Sequence, residues 1–447
     1  MRCRASCGIW LELPEVTKMT AFGTTLGTST MVDPLTTPDM AAQPTDKRPA
    51  DASGQGGLRR GAPMVLHTRV VCGTGGGVDK TVLNSPRFLR DLGYDCKCAF
   101  MRTPGDAGFQ ELVKRAELWQ APIIEIDDRG FWDWNVARDL LAACRANNVA
   151  IWHAHDYKSN LLGLWVRRHW PMKMVTTVHG WVSRSWKTPL YYGLERLSLR
   201  HYDQVICVSE DLREVCLGCG VDPGRLRVID NAIDTEQFRR RQPVAEAKAR
   251  WNIPPERVVI GAVGRLAPEK AFDVLIHAVD RLIARGLDVQ LMIAGEGPLD
   301  GSLQSLIREL GREDRIQLVG FQADTVAFYH AIDIYALSSL REGLPNVILE
   351  AMALEVPVVA SRIAGLPKIV AHGENGVLID SASGPQLEGE LERLTRDAAE
   401  RNRLGLAGRR TIEERFSFSR RMQRITEVYR EVLPGAVPDS APGSGRR

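Results

Sequence analysis

The residues with the clearest chemical potential lie in one stretch, Ser338-Ser-Leu-Arg-Glu-Gly-Leu-Pro-Asn-Val-Ile-Leu-Glu350. It sets two carboxylates, Glu342 and Glu350, around a Gly343-Leu344-Pro345-Asn346 corner. A strand-like run, Ile332 to Leu337, leads in, and an apolar helical pattern follows. Pro345 suits the first helical position, which leaves the amides of Asn346 and Val347 free to meet a phosphate oxygen. Glu350, about one and a half turns along, can accept two hydrogen bonds from a ribose diol. Glu342, in the turn before the helix, lies nearer a sugar. The plain alternative is a capped helix with solvated acids, and one stretch does not decide between them.

A second stretch, Ala262-Val-Gly-Arg-Leu-Ala-Pro-Glu-Lys270, follows another strand-like run. Arg265 falls just past the strand and Lys270 opens the next helix. Two cations of different reach on one corner suit a diphosphate, Arg as a planar fork and Lys as a point charge. Lys in a first helical turn opposes the helix dipole slightly, a local conflict of the kind functional sites carry. A third, Cys72-Gly-Thr-Gly-Gly-Gly-Val-Asp-Lys80, follows the first strand. Its Gly75, Gly76 and Gly77 let backbone approach a ligand and open a helix near Val78. It is a poor dinucleotide fingerprint, because Val78 takes the third glycine's place and the second strand ends Ala99-Phe-Met-Arg102 without an acid. No Gly-Lys-Ser/Thr triplet follows, so it is not a Walker loop either. His155 and Asp156 close the strand Val149–His155, and His179 and Gly180 close Met174–Val178. A single histidine at a strand end is more often structural. Two at adjacent strand ends suit sugar hydroxyls or proton transfer. Met292-Ile-Ala-Gly-Glu-Gly-Pro298 adds a glycine corner that is weak by itself.

The elements that must hold these residues alternate. Strand-like runs at Met64–Cys72, Cys96–Met101, Pro122–Ile126, Val149–His155, Met174–Val178 and Gln204–Val208 are separated by helix-length amphipathic segments. A second series runs through Val258–Val263, Val289–Ala294, Ile316–Val319, Ile332–Leu337, Val356–Ala360 and Gly376–Ile379. Such alternation makes parallel sheets covered on both faces. Two series imply two doubly wound Rossmann-like α/β domains, at residues 63–235 and 236–416, with a joint near Asp230–Arg240. The helix expected over residues 417–433 packs back on the first domain. Residues 1–62 and 434–447, rich in small and polar residues, read as a disordered extension and tail. Parallel sheets bind ligands beyond the carboxyl ends of their strands, where every stretch quoted above falls.

Composition narrows the class. At 447 residues, 44% hydrophobic and 25% charged, the chain is globular, and a formal charge of +3 gives no argument for nucleic acid. No apolar run approaches the ~18 residues of a membrane span. Nine cysteines without framework spacing suit a reducing, cytoplasmic protein. Cys216-Leu-Gly-Cys219 lacks the second pair that a zinc site needs.

Taken together, Glu342-x7-Glu350, Gly264-Arg-Leu-Ala-Pro-Glu-Lys270, Leu291-Met-Ile-Ala-Gly-Glu-Gly-Pro298 and the run from Ala360 to Ile379 resemble the retaining glycosyltransferases of the GT-B fold. Within these they resemble family 4, the glycosyl transferases group 1, and the resemblance covers about residues 64–433. It implies two Rossmann-like domains facing across a cleft, and transfer of a hexose from a nucleotide-sugar with retention of configuration. The acceptor would be a glycan or lipid-linked hydroxyl, in polysaccharide or glycolipid synthesis. It further implies donor binding by Arg265 and Lys270 at the diphosphate, Glu350 at the ribose, and Gly343, Leu344, Asn346 and Val347 at phosphate and sugar oxygens. Gly76 and Gly77 would close over the donor. Glu342 and His179 would stand at the transferred sugar, and His155 and Asp156 on the acceptor side. No cofactor and no metal are expected, since no Asp-x-Asp triplet occurs in the chain. Two departures stand out: Ala271 replaces the glycine usual after Lys270, and the linker reads Asp230-Asn-Ala-Ile-Asp234. A nucleotide-sugar epimerase of the same architecture, or an idle sugar-nucleotide-binding protein, is the alternative. Between Tyr157 and Tyr202 eight Lys/Arg and one acid interleave with aromatics, which suits peripheral contact with an anionic membrane as well as an ordinary basic surface.

Overall fold

The computed structural model describes residues 61–130, 133–180, 188–322, 324–342, 345–363, 365–381 and 383–435. The expected N-terminal extension up to residue 60 and the tail beyond 435 lie outside the described residues, as do Gly343 and Leu344.

Among the described residues thirteen strands form two parallel sheets. The first contains β1 (Met64–Val71), β2 (Asp95–Arg102), β3 (Ile123–Asp127), β4 (Val149–Ala154), β5 (Lys173–Val178), β6 (Gln204–Cys207) and β7 (Leu226–Val228). The second contains β8 (Val258–Val263), β9 (Val289–Ala294), β10 (Ile316–Leu318), β11 (Ile334–Leu337), β12 (Val358–Ser361) and β13 (Val377–Ile379). Their spatial orders are β3-β2-β1-β4-β5-β6-β7 and β10-β9-β8-β11-β12-β13, all pairings parallel. Strand ends move by one or two residues from those read in the sequence. β7 escaped that reading because three residues carry no periodicity.

Parallel strands buried on both faces have no polar side to show, which is why their sequences read as apolar runs. Side chains alternate between two cores. On β8, Val258, Ile260 and Ala262 join one cluster with Leu275, Val279 and Leu391, while Val259 points to the other with Tyr329 and Ile348. On β1, Leu66 packs with Trp152 and Met174, and Val65 faces the opposite way toward Ile151 and Ile206.

The helix Phe418–Val432 belongs to that second face of the first sheet. Phe418, Met422, Ile425, Val428 and Tyr429 share a core with Val65, Ile151, Val175 and Ile206. Five such side chains at about 2 kcal/mol each amount to roughly 10 kcal/mol of gross burial, enough to hold the returning chain firmly. The outgoing linker is fixed to this return. Ile233 bridges to Ser417, Arg421 donates to the carbonyls of Ile229 and Asp230, and Arg409 donates to those of Thr235, Phe238 and Ala353. The chain therefore crosses between its two halves along two adjoining paths.

In a doubly wound sheet the ligand crevice opens where the strand order reverses. Here the reversals fall between β1 and β4 in the first sheet and between β8 and β11 in the second. The Gly75–Gly77 loop follows β1 and His155 follows β4. Arg265 and Lys270 follow β8, and Glu342 with the helix Asn346–Ala353 follows β11. Topology alone thus brings the sequence motifs to two crevices.

Candidate active site

The β8 and β11 corners are joined by backbone. Leu340 N donates to Glu269 O at 2.8 Å and Ser338 Oγ to Lys270 O at 2.9 Å. Across this joint Lys270 Nζ meets Glu342 Oε1 at 2.5 Å, and Ser339 Oγ donates to the same oxygen at 2.7 Å. Both partners are mostly shielded, at 15% and 11% side-chain exposure, so their attraction is screened less than that of a surface pair. Lys270 does not open the long helix, as the sequence suggested. It ends a 3-10 turn, Pro268–Lys270, and the helix begins at Phe272. Ala271, between them, has φ of 49°, the left-handed conformation that glycine takes at no steric cost. This accounts for glycine being usual there.

The β9 glycine corner braces Arg265. Gly264 N donates to Ala294 O at 2.9 Å, Leu266 N to Glu296 O at 3.0 Å, and Leu299 N to Leu266 O at 3.0 Å. A Cβ on Gly295 would lie 1.9 Å from Gly264 O, and one on Gly297 2.4 Å from Leu266 O. Glycine is required at both for the two loops to touch. Arg265 itself is 62% exposed and pairs only with its neighbour Glu269, a contact easily exchanged for a ligand.

Pro345 is the N-cap, with φ −76° and ψ 120°, rather than the first helical residue. Asn346 and Val347 are then the first two helical positions, and their amides remain among the unpaired ones. From the other half, the helix Gly77–Asp91 points its own start at the same place. A Cβ on Gly77 would lie 2.8 Å from Asn346 Nδ2. Two helix N-termini therefore meet across the cleft, and both favour negative charge. Asp79 shapes the glycine loop by accepting from Gly76 N at 2.6 Å. Arg69, on β1, pairs with Asp79 and donates to His155 O at 3.2 Å, tying the loop to β4.

Two adjoining cavities lie here. One, of about 530 Å³, is lined by His179, Gly180, Lys270, Glu342, Asn346 and Val347. The other, of about 580 Å³, is lined by Gly76, Lys80, Arg115, Arg265, Glu296 and Phe321. Both touch Gly77 and Gly264.

Three expected site residues stand elsewhere. Glu350 lines neither large cavity. It is 3% exposed beneath Lys80, whose Nζ lies 3.4 Å from its Oε1, and it borders a void of about 20 Å³. Burial holds the nearby Tyr329 hydroxyl well above its usual pKa, and the negative charge of Glu350 adds to this. Asp156 has its oxygens occupied by Val70 N at 2.7 Å, Ser159 N at 2.9 Å and Ser159 Oγ at 3.0 Å. It caps the helix Tyr157–Arg167 and joins it to β1. His155 is buried between His67 and His179, at 2.7 and 3.1 Å.

His67, His153 and His155 bring ring nitrogens within 4.8 Å of one another, as metal ligands would be. Their contacts argue against one. His153 has Tyr429 Oη at 2.6 Å and Thr177 Oγ1 at 2.8 Å, and both nitrogens of His155 are taken. Burial lowers the pKa of His67 to about 3, with help from Arg421, and holds His153, His155 and His179 well below the usual value.

Two doubly wound sheets whose switch points share one anion-favouring cleft define a GT-B architecture. Family models agree: residues 75–237 match Glycosyltransferase Family 4 and residues 244–411 match Glycosyl transferases group 1. The chain belongs to this glycosyltransferase family. It is 30% identical over 319 residues to a D-inositol 3-phosphate glycosyltransferase of Corynebacterium efficiens, covering 65% of this chain and 74% of that one. It is 32% identical over 239 residues to the lipopolysaccharide core biosynthesis glycosyltransferase LpsE of Rhizobium meliloti, covering 53% of this chain and 66% of LpsE. Among solved structures, Anabaena HepE, in complex with UDP and glucose, superposes with a TM-score of 0.70 at 20% identity, covering 83% of this chain and all of HepE. Among the described residues no helix is long and apolar enough to cross a membrane.

Proposed function

We propose that the chain transfers a hexose from a nucleotide-diphosphate sugar to a hydroxyl of a glycan or lipid-linked acceptor, with retention and without a metal ion. The observation that carries this reading is the meeting of two helix N-termini beside Lys270, at Gly77 and Asn346. A departing diphosphate gathers negative charge, and fixed amides with a shielded ammonium stabilise it without rearranging. Arg265 is exposed and free to exchange Glu269 for phosphate oxygens. Glu342, held by Lys270 and Ser339, presents its carboxylate to sugar hydroxyls, and His179 faces the same cavity. The second cavity, bounded by Arg265, Phe321 and Lys80, takes the nucleoside. Glu350 reaches a ribose by exchanging Lys80 for its diol.

The glycosyltransferase names of the relatives, HepE's complex with UDP and glucose, and the absence of Asp-x-Asp support this reading. Those relatives favour transfer over epimerisation, and the lipopolysaccharide relative favours a cell-surface acceptor. A thermal-shift screen of UDP-, GDP- and ADP-sugars should give one class with a clear rise. Product NMR with the donor so found should show the donor's anomeric configuration, at a rate unchanged by EDTA. Stabilisation by no nucleotide sugar, or donor isomerised without an acceptor, would refute it.

A further inference from the structure

The buried histidines form a directed chain. His67 Nδ1 lies 2.7 Å from His155 Nε2, and His155 Nδ1 lies 3.1 Å from His179 Nε2. At the inner end, His67 Nε2 is buried with no hydrogen-bond partner. His67 is 1% exposed.

Each ring is neutral and carries one proton, which leaves two ways to run the chain. In one, the proton of His67 sits on Nε2, where nothing accepts it. In the other it sits on Nδ1 and leaves only a bare lone pair unpaired. Orphaned N–H groups are the rarer and costlier defect in buried positions. The second arrangement then propagates. His67 Nδ1–H donates to His155 Nε2, so the single proton of His155 lies on Nδ1. That proton is donated to His179 Nε2, so the proton of His179 lies on Nδ1, the nitrogen left for the cavity that His179 lines.

We infer that His67 and His155 are positioning residues which fix His179 in its Nδ1–H tautomer, so that it meets the transferred sugar as a hydrogen-bond donor and not as a proton acceptor. The inference rests on the reading of this cavity as the sugar site. Under it, His179 is no general base, and the acceptor's proton leaves by another route. An N–H fixed in place favours an oxygen lone pair of a sugar hydroxyl and costs no reorganisation on binding.

Long-range ¹H–¹⁵N correlation spectra of protein labelled at histidine nitrogens read the tautomer directly. Wild-type His179 should show a protonated Nδ1 and a bare Nε2, the form less common in free histidine. His67→Leu removes the donor at the start of the chain, and the His179 signals should move toward the Nε2–H pattern. His67→Asn can offer an amide N–H near the position of Nδ1–H and should keep the wild-type pattern. Turnover on the donor found in the screen should fall about tenfold in His67→Leu and less than threefold in His67→Asn. An Nε2–H pattern in the wild type would overturn the inference whether or not either variant folds. So would an unchanged pattern in His67→Leu, or equal losses of turnover in both variants. If the screen yields no donor, the sugar-site reading fails separately, and the spectra still decide the tautomer.

Discussion

The histidine column makes the protein acid-sensitive in a window where little else titrates. Folded His67 holds its pKa at about 3 against an ordinary 6.5, because burial excludes the charged form and Arg421 opposes it. His153, His155 and His179 are lowered for the same leading reason. Below about pH 6.5 the unfolded chain binds protons that the folded one refuses, so stability falls as pH falls. For His67 alone, the step from pH 6.5 to about pH 5 is roughly 1.5 pH units, or about 2 kcal/mol at 1.36 kcal/mol per unit. A second ring that stays neutral to pH 5 adds a similar amount. The carboxylates held low by partners act later: Glu400, at about 2, and Glu392 and Glu269 lose their contribution only below the ordinary carboxylate range. Asp156 is raised by burial and contributes with the opposite sign as acid is added. Urea unfolding followed by tryptophan fluorescence at pH 7.0 and 5.0 measures the slope. The wild type should lose about 2 kcal/mol or more over this interval, and His67→Asn should lose about 2 kcal/mol less than the wild type. A flat profile, or identical slopes for the two proteins, would show that the rings are not held neutral by burial.

Lys270→Ala should lower kcat/KM by about 100-fold, since it removes the ammonium beside the leaving group; initial rates with the screened donor check this. Gly295→Ala should cost on the order of 3 kcal/mol, because its Cβ would strike Gly264 O at 1.9 Å and its φ of +145° is one that L side chains avoid; calorimetry should show Tm several degrees lower. Ala271→Gly should raise stability by about 0.5 kcal/mol, the relief of left-handed strain at φ 49° slightly exceeding the added entropy of the unfolded chain; urea midpoints measure it.

How much of this was legible depends on sequence distance. The β8 and β11 corners carry their chemistry within short stretches, so Arg265, Lys270, Glu342 and Asn346 could be read as a group and placed at strand ends. Alternation of apolar runs gave both sheets, except the three-residue β7, which is too short to show a period. Lys80 and Arg69 stayed invisible because their meaning lies in partners far along the chain, Glu350 and Asp79 with His155. The cap made by Asp156 was hidden for a related reason: a carboxylate at a strand end looks the same whether it faces a ligand or caps the next helix. The residue type does not decide, because Asp is favoured at helix N-caps and any non-proline residue three positions on offers the amide that Ser159 supplies here. Ala271 was noticed as a departure, but only the backbone angle showed what the departure costs.

The placement of Glu350 joins these threads. A carboxylate at 3% exposure needs compensation, and losing its partner would leave an uncompensated buried charge. Lys80 supplies that compensation from the opposite half of the molecule, through a contact of 3.4 Å, which is long for a charge-assisted hydrogen bond. Lys80 rides on the helix whose N-terminus meets Asn346, so one element of the first half makes both the ion pair and the helix contact. The two crossings between the halves, Asp230–Asp234 and Phe416–Phe418, are joined to each other by the Ile233 and Phe418 amides, at 2.9 and 2.8 Å. An anion entering between the two helix ends works against a weak, long ion pair and against none of the packed cores.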